Sequence, residues 1–326
     1  MPPPEPARPL DDLLAAASSR EAWFPEDTKS GARFERVVID GERYVLKYQD
    51  RRDDWLMRAT GDLGYRYIRV CEHVLERLPD VIDPAVVACG HDGSAGMILL
   101  RDVSDWLIAD TSPFPDEVHA EFLDHMAAMH AAMWGWRDDI GLCSAEARYL
   151  AFSPSVARAE AAAGSAAIVP KVMADGWARL PGASAPLARV VQPLLEDVGP
   201  LVAALGHVPH TFVHGDWKAA NLGRHADGRT VLLDFGEVPG EASPLADLSW
   251  YLALNSALLP ESKDDTIVRY RAALERHGID TAGWWDAAVG LEMLGAMVQF
   301  GWEKALGGGP ELEWWEARAV EGTRWL

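Results

Sequence analysis

The segment that most constrains this chain is TFVHGDWKAANLGRHADGRTVLLDFGE, residues 211–237. Two β-rich runs flank a polar loop and an Asp227-Gly228 turn, so a compact strand, loop and strand unit is expected. The loop carries His214, Gly215 and Asp216, with Asn221 five residues after the Asp. The closing run ends in Asp234-Phe235-Gly236. Each motif stands beside a strand. Carboxylates and a carboxamide are hard oxygen ligands of the kind that suit Mg²⁺.

The chain before this segment changes character once. Residues 33–47 read as a hairpin about Asp40-Gly41, and 86–100 as a second hairpin about Asp92-Gly93. Between them, 55–78 is helical in character up to Pro79. Residues 116–134 are expected to form a helix, with Pro115 before it and acids in its first turn. Its stripe of Phe122, Met126, Met129 and Met133 reads as core, and His125 and His130 as structural or surface histidines. An Ala-rich stretch, 141–185, reads as loop-rich, and a helix follows near 186–205. From about 245 onward the chain is helical, with stops at Gly278 and Gly307-Gly308-Gly309. The reading is α+β: a small β-rich N-terminal lobe, 1–103, and a larger, mostly helical C-terminal lobe, 104–326. Residues 1–10, with five prolines, read as a loose tail.

The spacing H-x-D-x-x-x-x-N followed by D-F-G closely resembles the aminoglycoside phosphotransferase family, whose loop reads H-G-D where protein kinases have H-R-D. The resemblance runs from about Lys29 to the terminal helices and is most specific over 211–250. It implies a protein-kinase-like two-lobe fold. It also implies transfer of a phosphoryl group from ATP or GTP to a hydroxyl on a small molecule, with Mg²⁺ as cofactor. Asp216 would take or orient the hydroxyl proton, and Asn221 and Asp234 would hold the metal. His214 would scaffold the loop. Asp247 would brace it by hydrogen bonds. Lys218, two positions after Asp216, would neutralise charge on the moving phosphoryl group.

In the first lobe, Lys47 in the run YVLK resembles the strand lysine that holds the α/β-phosphates. Glu72 on the next helix is its expected partner, with Glu76 as second choice. Ser30 and Gly31 are expected near the phosphates, without a G-x-G-x-x-G pattern. Arg101 and Val103, in MILLRDV at the hinge, would hold the nucleotide base through main-chain groups. The short stretch from Asp234 to Asp247 leaves little room for an activation segment, which disfavours a protein kinase. A nucleotide-binding protein without catalysis is the alternative.

Composition narrows the partners. The formal net charge of -20 repels phosphate backbones, so no nucleic acid is expected, and a cationic acceptor is favoured. Trp217, Glu313 and Glu316 are the expected acceptor contacts, with Glu303 and Glu311 as further acids and Trp284, Trp285, Trp302, Trp314 and Trp315 nearby. No run of about 18 apolar residues suggests a membrane span. Cys71, Cys89 and Cys143 match no zinc spacing and read as reduced thiols of a cytoplasmic protein, monomeric or homodimeric.

Overall fold

The computed structural model describes residues 9–24, 31–108 and 112–326. The first lobe contains α1 (Leu10–Ala15), β1 (Ala17–Trp23), β2 (Arg33–Ile39), β3 (Glu42–Gln49), α2 (Trp55–Ala59), α3 (Arg66–His73), β4 (Ile82–Asp83), β5 (Val86–His91) and β6 (Gly96–Arg101). Five of its strands form an antiparallel sheet in the order β1-β2-β3-β6-β5. Both residues of the Asp40-Gly41 turn have positive φ, +53° and +85°, the tight turn that matches strand twist. In the second hairpin the Asp92 carboxylate accepts the N–H groups of Ser94 and Ala95, both at 2.8 Å.

Alternation decides what each sheet face does. Leu46 and Tyr48 of β3 join Val37, Ile39, Met97 and Leu99 in a core on one face, closed by Leu10 and Leu13 of α1. Lys47, between them, points to the other face, towards the second lobe. There Ile98 and Leu100 pack with Tyr67, Val70 and Val74. Leu10 is 6% exposed and opens α1, so the tail expected over 1–10 does not include it, and residues 1–8 lie outside the described residues.

The expected helix over 55–78 is broken. The chain turns at Gly61 (φ +66°), and Asp62 accepts the N–H of Arg66 to start α3.

The second lobe continues with α4 (Asp116–Ala132), α5 (Ala145–Leu150), α6 (Pro154–Ala162), α7 (Ile168–Ala183), α8 (Ala185–Glu196) and α9 (Gly199–Leu205). Then follow β7 (Thr211–Val213), β8 (Leu222–Arg224), β9 (Thr230–Leu232), β10 (Gly240–Ala242), α10 (Leu245–Leu254), α11 (Lys263–Arg276), α12 (Trp285–Gly307) and α13 (Gly309–Gly322). The stretch over 141–185 is helical rather than loop-rich. Ser144 and Ser153 cap α5 and α6 by accepting the N–H of Ala147 and Val156. Alanine, the best helix former, fills the turns between. Helix α12 is the axis of this lobe, packed by α7, α8, α10 and α13 and buried from Leu291 to Gly301. Among the described residues, no helix is long and apolar enough to cross a membrane. All three cysteines are free thiols, with Cys143 buried and Cys71 and Cys89 half-buried.

Candidate active site

Strand β7 delivers His214-Gly215-Asp216 to the cleft between the lobes. The backbone N–H groups of His214 and Gly215 donate to the two carboxylate oxygens of Asp247, at 2.8 and 2.7 Å. Asp247 is fully buried, and His130 holds it from behind at 3.0 Å. Burial alone would raise the Asp247 carboxyl, but the His130 contact keeps it below its ordinary range. Gly215 has φ +78°, and a Cβ there would lie 2.4 Å from the Val238 carbonyl oxygen. Glycine is therefore required at this turn.

His214 ties the two halves of the motif together. Its Nδ1 accepts the Asp216 N–H at 3.1 Å, so its Nε2 carries the proton and donates to the Leu233 carbonyl at 2.9 Å. Burial holds His214 below its ordinary pKa, against the pull of Asp247 and Asp216. A neutral imidazole is what this double role needs.

Asp216 is 1% exposed and fully engaged. Its Oδ1 accepts the Trp250 indole N–H at 2.9 Å. Its Oδ2 accepts from Lys218 Nζ and Asn221 Nδ2, both at 2.7 Å. Asn221 also reaches the Asp216 carbonyl at 3.0 Å, which closes the loop on itself. Burial disfavours the Lys218 charge, but Asp216 beside it outweighs this and holds Lys218 above its ordinary value.

Asp234 adopts a left-handed backbone, φ +66°, rare for a residue with a Cβ and common at functional sites. Lys47 reaches across the cleft to its carboxylate at 2.5 Å. Burial would raise Asp234, but Lys47 keeps it below the usual range. Lys47 itself is 4% exposed and lies about equally far from the rings of Phe34 and Tyr67, at 6.0 and 5.9 Å.

One acid was not singled out from the sequence. Carboxylate oxygens of Asp216, Asp234 and Glu237 lie within 4.8 Å of one another. Burial pushes the Glu237 carboxyl well above its usual range, and Asp234 and Asp216 push the same way. The charged form of Glu237 is thus disfavoured unless a cation stands beside it. The signal was present, because Glu237 directly follows Asp234-Phe235-Gly236. Asp54 also stands near Lys47, its carboxylate capping α2 through the N–H groups of Leu56 and Met57.

Two cavities meet at Lys47, Asn221 and Asp234. The smaller, about 190 Å³, lies under the sheet between Val45, Tyr67, Leu100 and Leu233, with Arg101 and Val103 at its rim. The larger, about 600 Å³, opens from Asp216, Lys218 and Glu237 towards Phe152, Trp250, Phe300 and Trp302. At the hinge, the N–H of Arg101 is given to Ala85 and that of Asp102 to Arg43. The Arg101 side chain pairs with Asp83.

Several expected residues stand elsewhere. Glu72 is exposed, 3.9 Å from His73, and Glu76 is exposed too. Helix α3 turns Tyr67 and Val70 inward, so position 72 falls on its outer face. Asp234 takes the place beside Lys47. Trp217 is fully buried and edge-on to His214, packed in the core and absent from the cavity lining; Trp250 lines it instead. Glu313 is exposed, and Glu316 accepts from Ser184 at 2.5 Å; neither lines either cavity. Glu303 and Trp302 do line the larger one. Gly31 has φ +104° and packs against the Asp53 carbonyl, while Ser30 lies outside the described residues. His125 and His130 are structural, bonded to Thr230 and to Tyr270 and Asp247.

Comparison with known proteins agrees with this geometry. The family model described as "Phosphotransferase enzyme family" (APH) matches residues 27–283. No curated protein matches the chain. Choline kinase LicA from Streptococcus pneumoniae is similar in fold, with 13% identity, TM-score 0.54 and 96% of each chain covered. So is aminoglycoside phosphotransferase APH(3'')-Id from Streptomyces rimosus, with 18% identity, TM-score 0.53 and coverage of 92% of this chain and 95% of that one. Spectinomycin phosphotransferase APH(9)-Ia, solved with ADP and its antibiotic, shares 10% identity at TM-score 0.51, covering 96% of this chain and 92% of that one. With a model matching most of its length and a two-lobe kinase-like fold, the chain belongs to the phosphotransferase enzyme family.

Proposed function

We propose that this protein is a small-molecule kinase that moves the γ-phosphoryl group of ATP or GTP to a hydroxyl of its acceptor. The observation that carries the reading is the state of Asp216. It is buried, held by three donors, and set in the wall of the larger cavity, next to the Lys47–Asp234 pair.

In this reading the nucleotide base lies in the smaller cavity against the hinge, which Arg101 and Val103 line. Lys47 binds the α/β-phosphates. Asp234 and Glu237, whose carboxylate oxygens lie within 4.8 Å of each other, would hold Mg²⁺ together with Asn221, because all three offer hard oxygens. When bound, Mg²⁺ would offset the negative charge of the phosphate groups.

The acceptor lies in the larger cavity with its hydroxyl at Asp216. Asp216 takes the hydroxyl proton as the acceptor oxygen forms its bond to the γ-phosphorus. The bond from that phosphorus to the bridging oxygen breaks, and the nucleoside diphosphate leaves with the electron pair. Lys218, kept cationic by Asp216, faces the charge that develops on the transferred group.

The test is release of nucleoside diphosphate from Mg²⁺ and ATP or GTP across a panel of alcohols and aminoglycosides. Acceptor-dependent release that is lost in Asp216→Ala supports the reading. Nucleotide binding with no turnover on any acceptor favours a protein that binds nucleotide without catalysis.

A further inference from the structure

Resting on that reading, we infer that the acceptor is a largely apolar alcohol carrying at most one positive charge, recognised by the aromatic wall of the larger cavity.

The wall is built for an apolar body. Phe152, Trp250 and Phe300 interlock, with ring centroids 5.4 Å apart for Phe152–Phe300 and 4.8 Å for Trp250–Phe300. Trp302, Val169 and Leu254 extend the surface. Because Trp250 also donates to Asp216, this surface begins at the carboxylate that meets the hydroxyl. A cavity of about 600 Å³ suits a drug-sized molecule better than a very small one. Aromatic and aliphatic walls gain their affinity by taking apolar area out of water.

Charge at this end is already balanced. Glu303 lies 2.7 Å from the Lys304 ammonium, an ion pair by distance, although its buried Oε2 accepts no aligned hydrogen bond. Lys304, 3% exposed, also meets Glu311 at 3.3 Å and donates to the Ala253 carbonyl at 2.7 Å. Lys263 holds Glu311 from the other side at 2.5 Å. Two carboxylates are thus opposed by two ammonium groups. An acceptor with several amines would find no surplus acid here. The acidity of the whole chain does not supply one, because exposed charges beyond about 8 Å are screened at physiological salt. The remaining acid, Glu237, stands at the phosphate end, beside the Lys47–Asp234 pair.

Binding can be read without knowing the natural acceptor. The neutral fluorescent probe N-phenyl-1-naphthylamine is titrated into the protein with and without Mg²⁺ and ADP, and neomycin is titrated by calorimetry in the same buffer. The expected result is saturable probe binding below about 100 µM, which neomycin in excess does not displace. Leu254→Glu and Val169→Glu each place a charge on the wall, the first at an exposed position and the second at a half-buried one, and circular dichroism checks that each variant is folded. Each should weaken the probe by about tenfold or more. Failure of the probe to saturate, or binding unchanged in both variants, would overturn the inference. So would neomycin binding tighter than the probe, or phosphate transfer to an aminoglycoside with a salt-sensitive KM. Binding of Mg²⁺ and ADP, measured separately on the same samples, reports on the phosphotransferase reading alone. Its absence would count against that reading and not against the cavity.

Discussion

Trp250 donates its indole N–H to Asp216 Oδ1 at 2.9 Å, so the wall of the acceptor cavity and the carboxylate at its mouth form one hydrogen-bonded unit. Asp216→Ala should lower kcat on the order of 10²–10⁴-fold, as expected for loss of a general base. Trp250→Phe keeps a ring in the wall but removes the donor. A hydrogen bond to a charged group is worth about 1.5–3 kcal/mol, so kcat should fall roughly tenfold or more while nucleotide affinity holds. Steady-state kinetics and nucleotide calorimetry on the two variants separate these effects.

Lys47 and Glu72 should behave oppositely. Lys47→Ala removes the cation beside half-buried Asp234 and should weaken nucleotide binding by at least about tenfold, with a drop in Tm from the uncompensated charge. Glu72→Ala, on the outer face of α3, should change stability by no more than about 0.5 kcal/mol and leave nucleotide affinity intact. Loss of nucleotide binding in Glu72→Ala would contradict the placement of α3.

Glu237→Gln keeps the shape of the side chain and removes a charge from the three-acid cluster. The Mg²⁺ concentration for half-maximal turnover should rise by about tenfold, consistent with losing one anionic ligand. Direct Mn²⁺ binding, followed by electron paramagnetic resonance, should weaken in parallel. Unchanged Mn²⁺ affinity would remove Glu237 from the metal site.

Gly215→Ala must fit a Cβ at 2.4 Å from the Val238 oxygen in a left-handed turn. A cost of about 1–3 kcal/mol is expected. Thermal unfolding should show it as a fall in Tm of several degrees, and kcat should drop because Asp216 is displaced.

Stability should fall as pH rises through the neutral range. Glu292, fully buried, accepts the Tyr149 hydroxyl at 2.9 Å, and burial pushes its carboxyl up to about 8. Between the ordinary glutamate range and about pH 8, the folded state holds a proton that the unfolded state has lost, so unfolding free energy declines with pH. This contribution is fully present in mild acid and gone above about pH 8. Glu292→Gln should flatten the decline in Tm from pH 5 to 8. An equally steep decline in the variant would place the dependence elsewhere.

Local chemistry made part of this legible in the chain itself. The Asp40-Gly41 and Asp92-Gly93 hairpins follow from turn residues and alternation within a dozen positions. The loop from His214 to Asn221 and the turn at Asp234 were readable because they lie in one short segment at fixed spacing. His214 holds that segment together by bonds to its own neighbours, Asp216 and Leu233.

What faces the cleft from afar was decided only by tertiary packing. Lys47 meets Asp234 across 187 residues of sequence, and no periodicity encodes that distance. The break at Gly61 rotated α3 so that Tyr67, and not Glu72, faces the lysine. Trp217 sits beside Asp216 in sequence yet points into the core, because the chain reverses at Gly215, while Trp250 arrives from α10 to take its place. The terminal acids were sensible candidates for amines by composition. Their pairing with Lys263, Lys304 and Ser184 is a matter of which helices pack together, and packing depends on the shapes of whole faces rather than on any one residue.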